Sequence, residues 1–202
     1  MNTRLLLCYA ALSITAPVAG GATLSYASAY RYIESGPVSF EPADPFADLD
    51  MGLAGLDSIA TQRSALSSTG IVVSSRIAGS SERGAAFFKV NFSLNEPAQW
   101  SLTGSFELLG TTGLACVSIL NLARRDLPLV NEIIYGPPPV SATRMLNFGG
   151  VLAAGNYTME AMIYGGGDDQ LTRGGIDAMF TIPEPAVSLL LIMILPCVAR
   201  RR

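Results

Sequence analysis

Hydrophobic and polar residues alternate along four stretches in the middle of this chain, at 88–94, 100–108, 157–163 and 176–182. A period of two places the apolar side chains of such a stretch on one face of a β-strand and the polar side chains on the other. These stretches therefore predict half-buried strands. Less regular apolar runs predict further strands at 24–31, 38–41, 69–78, 115–122 and 129–135.

Clusters of Gly, Pro, Asn and Asp separate these stretches and indicate turns at 95–97, 110–113, 136–139, 149–150, 155–156, 165–169 and 174–175. Roughly eight to ten short strands with frequent turns predict an all-β fold, a single antiparallel β-sandwich or jelly-roll-like domain. Residues 57–67 have a weak helical period and predict either a marginal helix or a strand. Residues 146–161 are similar to the closing hairpin of many extracellular β-sandwich modules.

The N-terminal residues have the pattern of a secretory signal peptide. Arg4 provides a positive charge, an apolar stretch follows over 5–16, and a proline and small residues come next. Signal peptidase requires small side chains three residues and one residue before the cleaved bond. Gly20 and Ala22 meet this requirement, so we predict export by the Sec machinery and cleavage after Ala22. Two other pairs also fit the requirement: Val18 with Gly20, and Ala27 with Ala29. A buried N-terminal helix is the alternative.

The C-terminal residues contain three features in a fixed order. A Pro-Glu-Pro tripeptide precedes an almost wholly apolar helix-forming run over 186–199, and three arginines end the chain: Pro183, Glu184 and Pro185, then Arg200, Arg201 and Arg202. The run is short for a membrane span, which needs about 20 residues. A thin span is still feasible if Pro183 and Glu184 lie at the outer interface and the arginines at the inner one. Basic clusters beside a membrane span stay in the cytoplasm, so the three arginines are predicted to lie inside the cell and the preceding chain outside it.

This tail resembles a PEP-CTERM sorting signal, although Pro196 and Cys197 depart from that pattern. The resemblance implies recognition by an exosortase, a transpeptidase-like membrane protease that removes the tail near the tripeptide. It implies delivery to the cell surface, outer envelope or extracellular matrix of a bacterium after transient anchoring in the inner membrane. The chain then divides into a signal peptide (1–22), an ectodomain (23–182) and a sorting tail (183–202). A tail anchor that is never cleaved is the alternative.

Composition narrows the function of the predicted ectodomain. The whole chain is 50% hydrophobic and 14% charged, and its mean hydropathy is +0.39. Much of the apolar excess lies in the two terminal segments. Between them, residues 23–182 contain eight Arg and one Lys against fifteen Asp and Glu, a net charge of −6. This acidic balance and the single lysine, Lys89, disfavour nucleic acid as a partner.

The predicted ectodomain lacks a recognisable metal or cofactor site. The chain has no His, which excludes Ser-His-Asp catalysis and every His-based metal site. Asp44, Asp48 and Asp50 faintly resemble a calcium loop, but the later Glu that such a loop needs is missing. Asp168 and Asp169 follow three glycines and indicate a turn. We therefore predict no metal and no cofactor.

Candidate catalytic groups are equally sparse. Cys116 is the one cysteine of residues 23–182, so it cannot form a disulfide within them, and we predict a small core residue. Glu107 and Glu160 are the carboxylates that a glycosidase on this fold would use, but both occupy polar positions of their strands. No catalytic residue is assigned, and we expect a protein that is not an enzyme.

Aromatic residues suggest where a sugar could bind. Trp100 shares the phase of the apolar positions of its strand, which predicts a place in the core. Tyr135, Tyr157 and Tyr164 lie near predicted loops and are better placed to form a carbohydrate platform. The favoured function is a non-enzymatic surface or matrix protein associated with exopolysaccharide. A carbohydrate-binding module is the first alternative, and a secreted jelly-roll hydrolase is the second.

Overall fold

A computed structural model describes residues 21–110, 112–124, 128–135 and 140–183 of the chain. The predicted signal helix, Glu184, Pro185, the apolar run and the arginine cluster lie outside these residues. Within them the chain forms twelve β-strands and no helix. Accordingly, these described residues contain no helix of the length and apolar character that a membrane crossing requires.

The twelve strands follow one another in the chain as β1 Leu24–Ser35, β2 Val38–Phe40, β3 Leu49–Ala54, β4 Ser58–Ser67, β5 Gly70–Gly79, β6 Arg83–Leu94, β7 Ala98–Gly110, β8 Gly113–Asn121, β9 Val130–Tyr135, β10 Val140–Leu152, β11 Gly155–Gly166 and β12 Thr172–Thr181. They form two antiparallel sheets of six strands each. Sheet A has the order β2-β1-β6-β11-β8-β9, and sheet B has the order β10-β7-β12-β5-β4-β3. The sheets pack face to face, with β11 against β12, β6 against β5 and β1 against β4. This arrangement confirms the predicted all-β antiparallel sandwich.

The core lies between the sheets and is built from the predicted alternating positions. Phe88 and Phe92 on β6 and Phe106 and Phe180 on sheet B are no more than 1% exposed. The Phe92 and Phe180 rings meet across the two sheets with their centroids 5.4 Å apart. Burial of such large apolar surfaces is the main stabilising term for a sandwich of this kind. The phase of the sequence pattern therefore correctly identifies the inward faces of both sheets.

Two glycine pairs predicted as turns lie inside strands instead. Gly149 and Gly150 belong to β10, and Gly174 and Gly175 belong to β12. These glycines provide room for neighbouring groups: a Cβ added to Gly174 would lie 2.6 Å from the Cδ1 atom of Ile163. The turn prediction was therefore wrong at both pairs, and at Gly174 the absence of a side chain allows close packing.

Other local predictions are also corrected. Residues 58–67 form β4, so the strand alternative for this segment is confirmed and the helix is wrong. The sequence pattern missed β3 and β10. The proposed closing hairpin over 146–161 does not exist, because β10 pairs with β7 in sheet B and β11 pairs with β6 and β8 in sheet A. The chain crosses between sheets there, since both strands find their partners far away in sequence.

Candidate functional site

The outward face of sheet A carries a line of mostly large side chains. Antiparallel register aligns residues from β1, β6, β11, β8 and β9 in this order: Tyr32, Phe87, Met162, Cys116 and Ile133. The residues that flank them in sequence point inward; Phe88 and Ile163, for example, are 0% exposed. Because neighbouring strands lie about 4.8 Å apart, the line extends for about 19 Å across the sheet.

Two further tyrosines join this line and form a shallow depression. Tyr30 lies two residues before Tyr32 on β1, and Tyr164 lies two residues after Met162 on β11. These side chains line a depression of about 240 Å³. We call Tyr30, Tyr32, Phe87, Met162 and Tyr164 the aromatic patch. It places several ring faces and edges on one open surface of the sheet.

Neighbouring contacts hold the rings of the aromatic patch. The Tyr30 and Phe87 rings meet edge to face with centroids 5.5 Å apart. The Arg83 guanidinium lies 4.7 Å from the Tyr164 ring centroid, a distance at which cation–π attraction operates. The Tyr32 hydroxyl donates to the Glu34 carboxylate at 2.6 Å, and this hydrogen bond is the main cause of the raised pKa of Tyr32. Each of these rings therefore has a neighbouring group that fixes its position on the sheet.

A second depression, of about 210 Å³, follows directly along β6 and β11. Lys89 and Glu160 face each other across these strands, with Nζ and Oε1 2.7 Å apart. The Asn91 amide nitrogen donates to the Ser28 hydroxyl at 2.8 Å, and its carbonyl oxygen accepts from the Thr158 hydroxyl. We call Lys89, Asn91, Thr158 and Glu160 the polar patch. It adds hydrogen-bonding groups next to the aromatic patch on the same face.

Together the two patches suit a ligand with both apolar faces and many hydroxyl groups. Ligand sites in proteins combine aromatic surfaces, which contribute contact area, with a few placed polar groups, which fix orientation. A sugar ring presents C–H groups on its faces and hydroxyls on its rim. The C–H faces match the aromatic patch, and the hydroxyls match the amide, ammonium and carboxylate groups of the polar patch.

The three tyrosines of the predicted carbohydrate platform do not share one surface. Tyr164 belongs to the aromatic patch, and Tyr135 is 74% exposed on the edge strand β9 of the same sheet. Tyr157 is 1% exposed, and its ring stacks on Phe92 between the sheets, so its place in the platform was wrong. Its position near a loop was misleading because the residue has the inward phase of β11. Trp100 is 9% exposed and stacks on Phe180, as its phase predicted.

Sequence reasoning missed three members of the aromatic patch. Tyr30 lies near the end of the predicted irregular strand at 24–31, Tyr32 lies just beyond it, and Phe87 directly precedes the alternating stretch at 88–94. Two aromatic residues with a spacing of two indicate a shared strand face, and this signal could have identified the β1 pair. Nothing in the local pattern places Phe87 beside them.

The two carboxylates of the hydrolase hypothesis lie on different sheets. Glu107 is exposed on β7 of sheet B, whereas Glu160 lies on the outward face of β11 in sheet A and is paired with Lys89. Side chains on the two outer faces of a sandwich are separated by both sheets and by the core, which alone is about 10 Å thick. Glu107 and Glu160 therefore cannot flank one glycosidic bond.

Cys116 lies in the line of outward side chains and is half-buried, so the prediction of a core residue was wrong. Its neighbours Ala115 and Val117 are 0% exposed and occupy the inward positions of β8 instead. Burial under adjacent side chains raises the pKa of the Cys116 thiol, and the Glu160 carboxylate adds to this effect. A raised thiol pKa opposes nucleophilic reactivity at neutral pH.

The acidic residues that were considered as metal ligands include several with local partners. Asp50 forms an ion pair with Arg63 at 2.6 Å, and the Asp44 carboxylate accepts from the backbone N–H of Phe46 at 2.9 Å. Asp169 adopts a positive φ of 61° between β11 and β12, as the predicted turn requires. Among the described residues, no group of three or more His, Cys, Asp and Glu side chains could hold a metal ion.

Comparison with known proteins yields structural similarity without a family. No family model matches the chain, and no curated protein matches it. A structure of infectious bursal disease virus Gx strain aligns over 82% of this chain and 55% of its own, with 8% identity and a TM-score of 0.30. The chain thus spans about half the length of that viral protein.

Two carbohydrate-binding proteins are also among the similar structures. A family 29 carbohydrate-binding module aligns over 78% of this chain and 91% of its own, with 12% identity and a TM-score of 0.20. A point mutant of the module CBM29-2, complexed with cellulohexaose, aligns over 80% of this chain and 93% of its own, with 11% identity and a TM-score of 0.20. Similarities this weak do not place the chain in the family of any of these proteins.

Proposed function

We propose that this chain is a non-enzymatic exported protein that binds polysaccharide at the cell surface or in the extracellular matrix. The observation that carries the proposal is the aromatic patch beside the polar patch on one open face of sheet A. Partly exposed rings on the outward face of sheet A supply stacking area, and the adjacent polar side chains supply hydrogen bonds for hydroxyl groups.

Export and sorting form the other half of the proposal and rest on the terminal patterns. The first buried residue of the described chain is Leu24, two residues after Ala22. Cleavage after Ala22 therefore leaves β1 whole, whereas cleavage after Ala29 would cut it. At the other end, Ile182 is buried and donates its N–H to the Thr69 carbonyl, while Pro183 is exposed. Pro183, the first residue of the tripeptide, is therefore exposed directly after the last buried residue that the structure describes, and this exposure supports access by an exosortase.

Affinity electrophoresis of the full-length chain tests the binding proposal. The protein is solubilised in a detergent that has no sugar headgroup. Each gel contains one polysaccharide: a neutral β-glucan, a galactomannan or a xylan. At least one polysaccharide should slow migration, and Tyr30→Ala and Tyr164→Ala should each weaken this binding by about tenfold through lost stacking. Leu109→Ala is the matched control, because Leu109 is an exposed apolar residue, 56% exposed, on the outer face of sheet B. Unchanged migration of the unaltered chain in every gel would refute binding.

Intact-mass measurement tests sorting. In a host with an exosortase, the mature protein should begin at Thr23 and lack the C-terminal residues beyond the tripeptide. Replacing Pro183, Glu184 and Pro185 by alanine should leave the tail in place and retain the protein in the inner membrane. A tail that persists to Arg202 in the unaltered protein would instead support the uncleaved anchor and contradict sorting.

A further inference from the structure

We propose that the ligand of this face is a neutral polysaccharide chain that lies along β6 and β11, with both patches engaged at once. This inference rests on the proposed function and adds the direction and chemical class of the ligand. Its structural basis is that the two depressions share the same two strands and follow each other without an intervening element.

The direction follows from the register of β6 and β11. Along β6 the outward positions are Phe87, Lys89 and Asn91, and opposite them on β11 lie Met162, Glu160 and Thr158. The apolar pair Phe87 and Met162 is thus followed along the strands by two polar pairs. A ligand that contacts both kinds of pair must therefore run parallel to β6 and β11. At about 3.4 Å per residue, the outward positions from Ala85 to Ser93 extend for about 27 Å. This length accommodates a chain of several sugar rings, not a single sugar.

The polar patch retains hydrogen-bonding capacity after its internal contacts are made. The Lys89 ammonium has three N–H donors, and Glu160 has two carboxylate oxygens, one of which contacts that ammonium at 2.7 Å. The Asn91 amide donates one of its two N–H groups to Ser28. Side chains that are already positioned by neighbours lose little conformational entropy when they bind a hydroxyl. The patch is therefore suited to sugar hydroxyls, which both donate and accept.

Charge selects a neutral ligand over an anionic one. Lys89 is paired with Glu160, and Arg83 lies on the Tyr164 ring, so both cations near the patches already have partners. The carboxylates of Glu34 and Glu160 border the same surface. These two carboxylates balance the charges of Lys89 and Arg83, so the surface has no net positive charge that would attract a polyuronate.

Substitutions in the polar patch separate this inference from the proposed function. Asn91→Ala should weaken binding of the retained neutral polysaccharide by about fivefold to tenfold, the usual effect of one lost hydrogen bond. Thr158 is only 3% exposed, and its hydroxyl donates to the Asn91 carbonyl oxygen. Thr158→Val should therefore weaken binding through the loss of this support for the Asn91 side chain. Asn147→Ala, at an exposed position on the outer face of sheet B, is the control and should have no effect. Polygalacturonate and alginate gels should not slow the protein.

The single lysine of the chain allows a direct test of contact. Reductive ¹³C-methylation of the full-length protein labels Lys89 and the α-amino group, and a Lys89→Arg variant assigns the two NMR signals. A neutral hexasaccharide of the retained polysaccharide should shift the Lys89 signal and bind at least tenfold more tightly than the disaccharide.

The outcomes distinguish the two proposals. If Tyr164→Ala weakens binding by about tenfold but the Lys89 signal stays unshifted and Asn91→Ala and Thr158→Val bind normally, the polysaccharide does not reach the polar patch. The extended ligand is then wrong, and the proposed function stands. Equal affinity for the disaccharide and the hexasaccharide, or retention by polygalacturonate, would likewise overturn this inference. If no polysaccharide binds at all, both proposals fail.

Discussion

The Arg144 guanidinium on β10 lies 3.0 Å from the Glu132 carboxylate on β9, so an ion pair spans the edge strands of the two sheets. Both residues occupy inward register positions, because Arg144 pairs with buried Phe106 and Glu132 pairs with buried Val117. Inward-pointing charges on edge strands oppose pairing with another molecule, since such pairing would bury them. The ion pair therefore protects the long edge of β10.

We expect the double variant Arg144→Leu, Glu132→Leu to change association more than stability. The two side chains are 54% and 27% exposed, and exposed ion pairs contribute about 1 kcal/mol or less. Urea unfolding should show a change of about that size, while light scattering should reveal self-association that rises with concentration. A variant that remains monomeric at every concentration would contradict the protective role.

Arg31 supplies a second prediction, because it is 1% exposed between the sheets. One of its terminal nitrogens donates to the Ala47 carbonyl, but Nε and Nη2 have no hydrogen-bond partner among the described residues. Burial lowers its pKa, while Asp48 and Asp44 act in the opposite direction. Because a buried cation with two unsatisfied nitrogen atoms is costly, Arg31→Met should leave the free energy of unfolding unchanged or raise it by about 1 kcal/mol.

Chemical denaturation with urea checks this expectation. Arg31→Ala is the comparison, since it removes the same charge but also leaves a cavity, and it should be less stable than Arg31→Met by about 2 kcal/mol or more. If Arg31→Met destabilises the protein as much as Arg31→Ala does, the guanidinium itself stabilises the fold and the prediction fails.

Gly104 on β7 cannot accept a larger side chain. Its φ is +142°, and a Cβ added there would lie 2.0 Å from the carbonyl oxygen of Asp177 on the neighbouring strand β12. Gly104→Ala should therefore lower the free energy of unfolding by about 2 kcal/mol or more. Gly52→Ala on β3 is the control, because the nearest atom to its added Cβ belongs to the Thr61 side chain, at 3.3 Å. Similar melting temperatures for the two variants would contradict the prediction.

We expect the ionisation of Asp177 to make the free energy of unfolding depend on pH. Burial raises its pKa, but hydrogen bonds from Arg76 and Ser74 outweigh burial, and the folded-state pKa is below the ordinary value. The ionised carboxylate therefore stabilises the fold above pH of about 4, and this contribution is lost as pH falls through the folded-state pKa. In urea unfolding across the acid range, Asp177→Asn should flatten the acid side of the stability profile. A profile of unchanged steepness would show that other carboxylates control it.

Cys116 should react slowly with iodoacetamide. Its raised pKa lowers the thiolate fraction in mildly alkaline buffer, and the thiolate is the reacting species. The measurement uses the Cys8→Ser, Cys197→Ser variant, so that Cys116 is the only thiol. The alkylation rate of the folded protein should be several times lower than that of the same protein unfolded in urea. Equal rates for the folded and unfolded protein would overturn the prediction.

The sequence pattern correctly predicted which side chains face the core where this depends only on the residues of one strand. Alternation at 88–94 and 157–163 correctly separated inward from outward positions, and the same argument on β7 predicted the burial of Trp100. It failed where distant neighbours matter: Gly174 and Gly175 were predicted as a turn, but they pair with β5 and β7 in a central strand. Ile163 and Arg76 leave no room there for a Cβ. No local signal reports such neighbours.

The sequence by itself determined the all-β class and the side of each regular strand that faces the core, because a period of two is a property of the backbone and acts within a few residues. Only the tertiary structure decided which outward residues become neighbours. Tyr32 and Phe87 are distant in the chain, yet β1 and β6 place them side by side, and β11 adds Met162. Strand order and register depend on packing between remote segments, so the candidate site emerged only with the folded sheet.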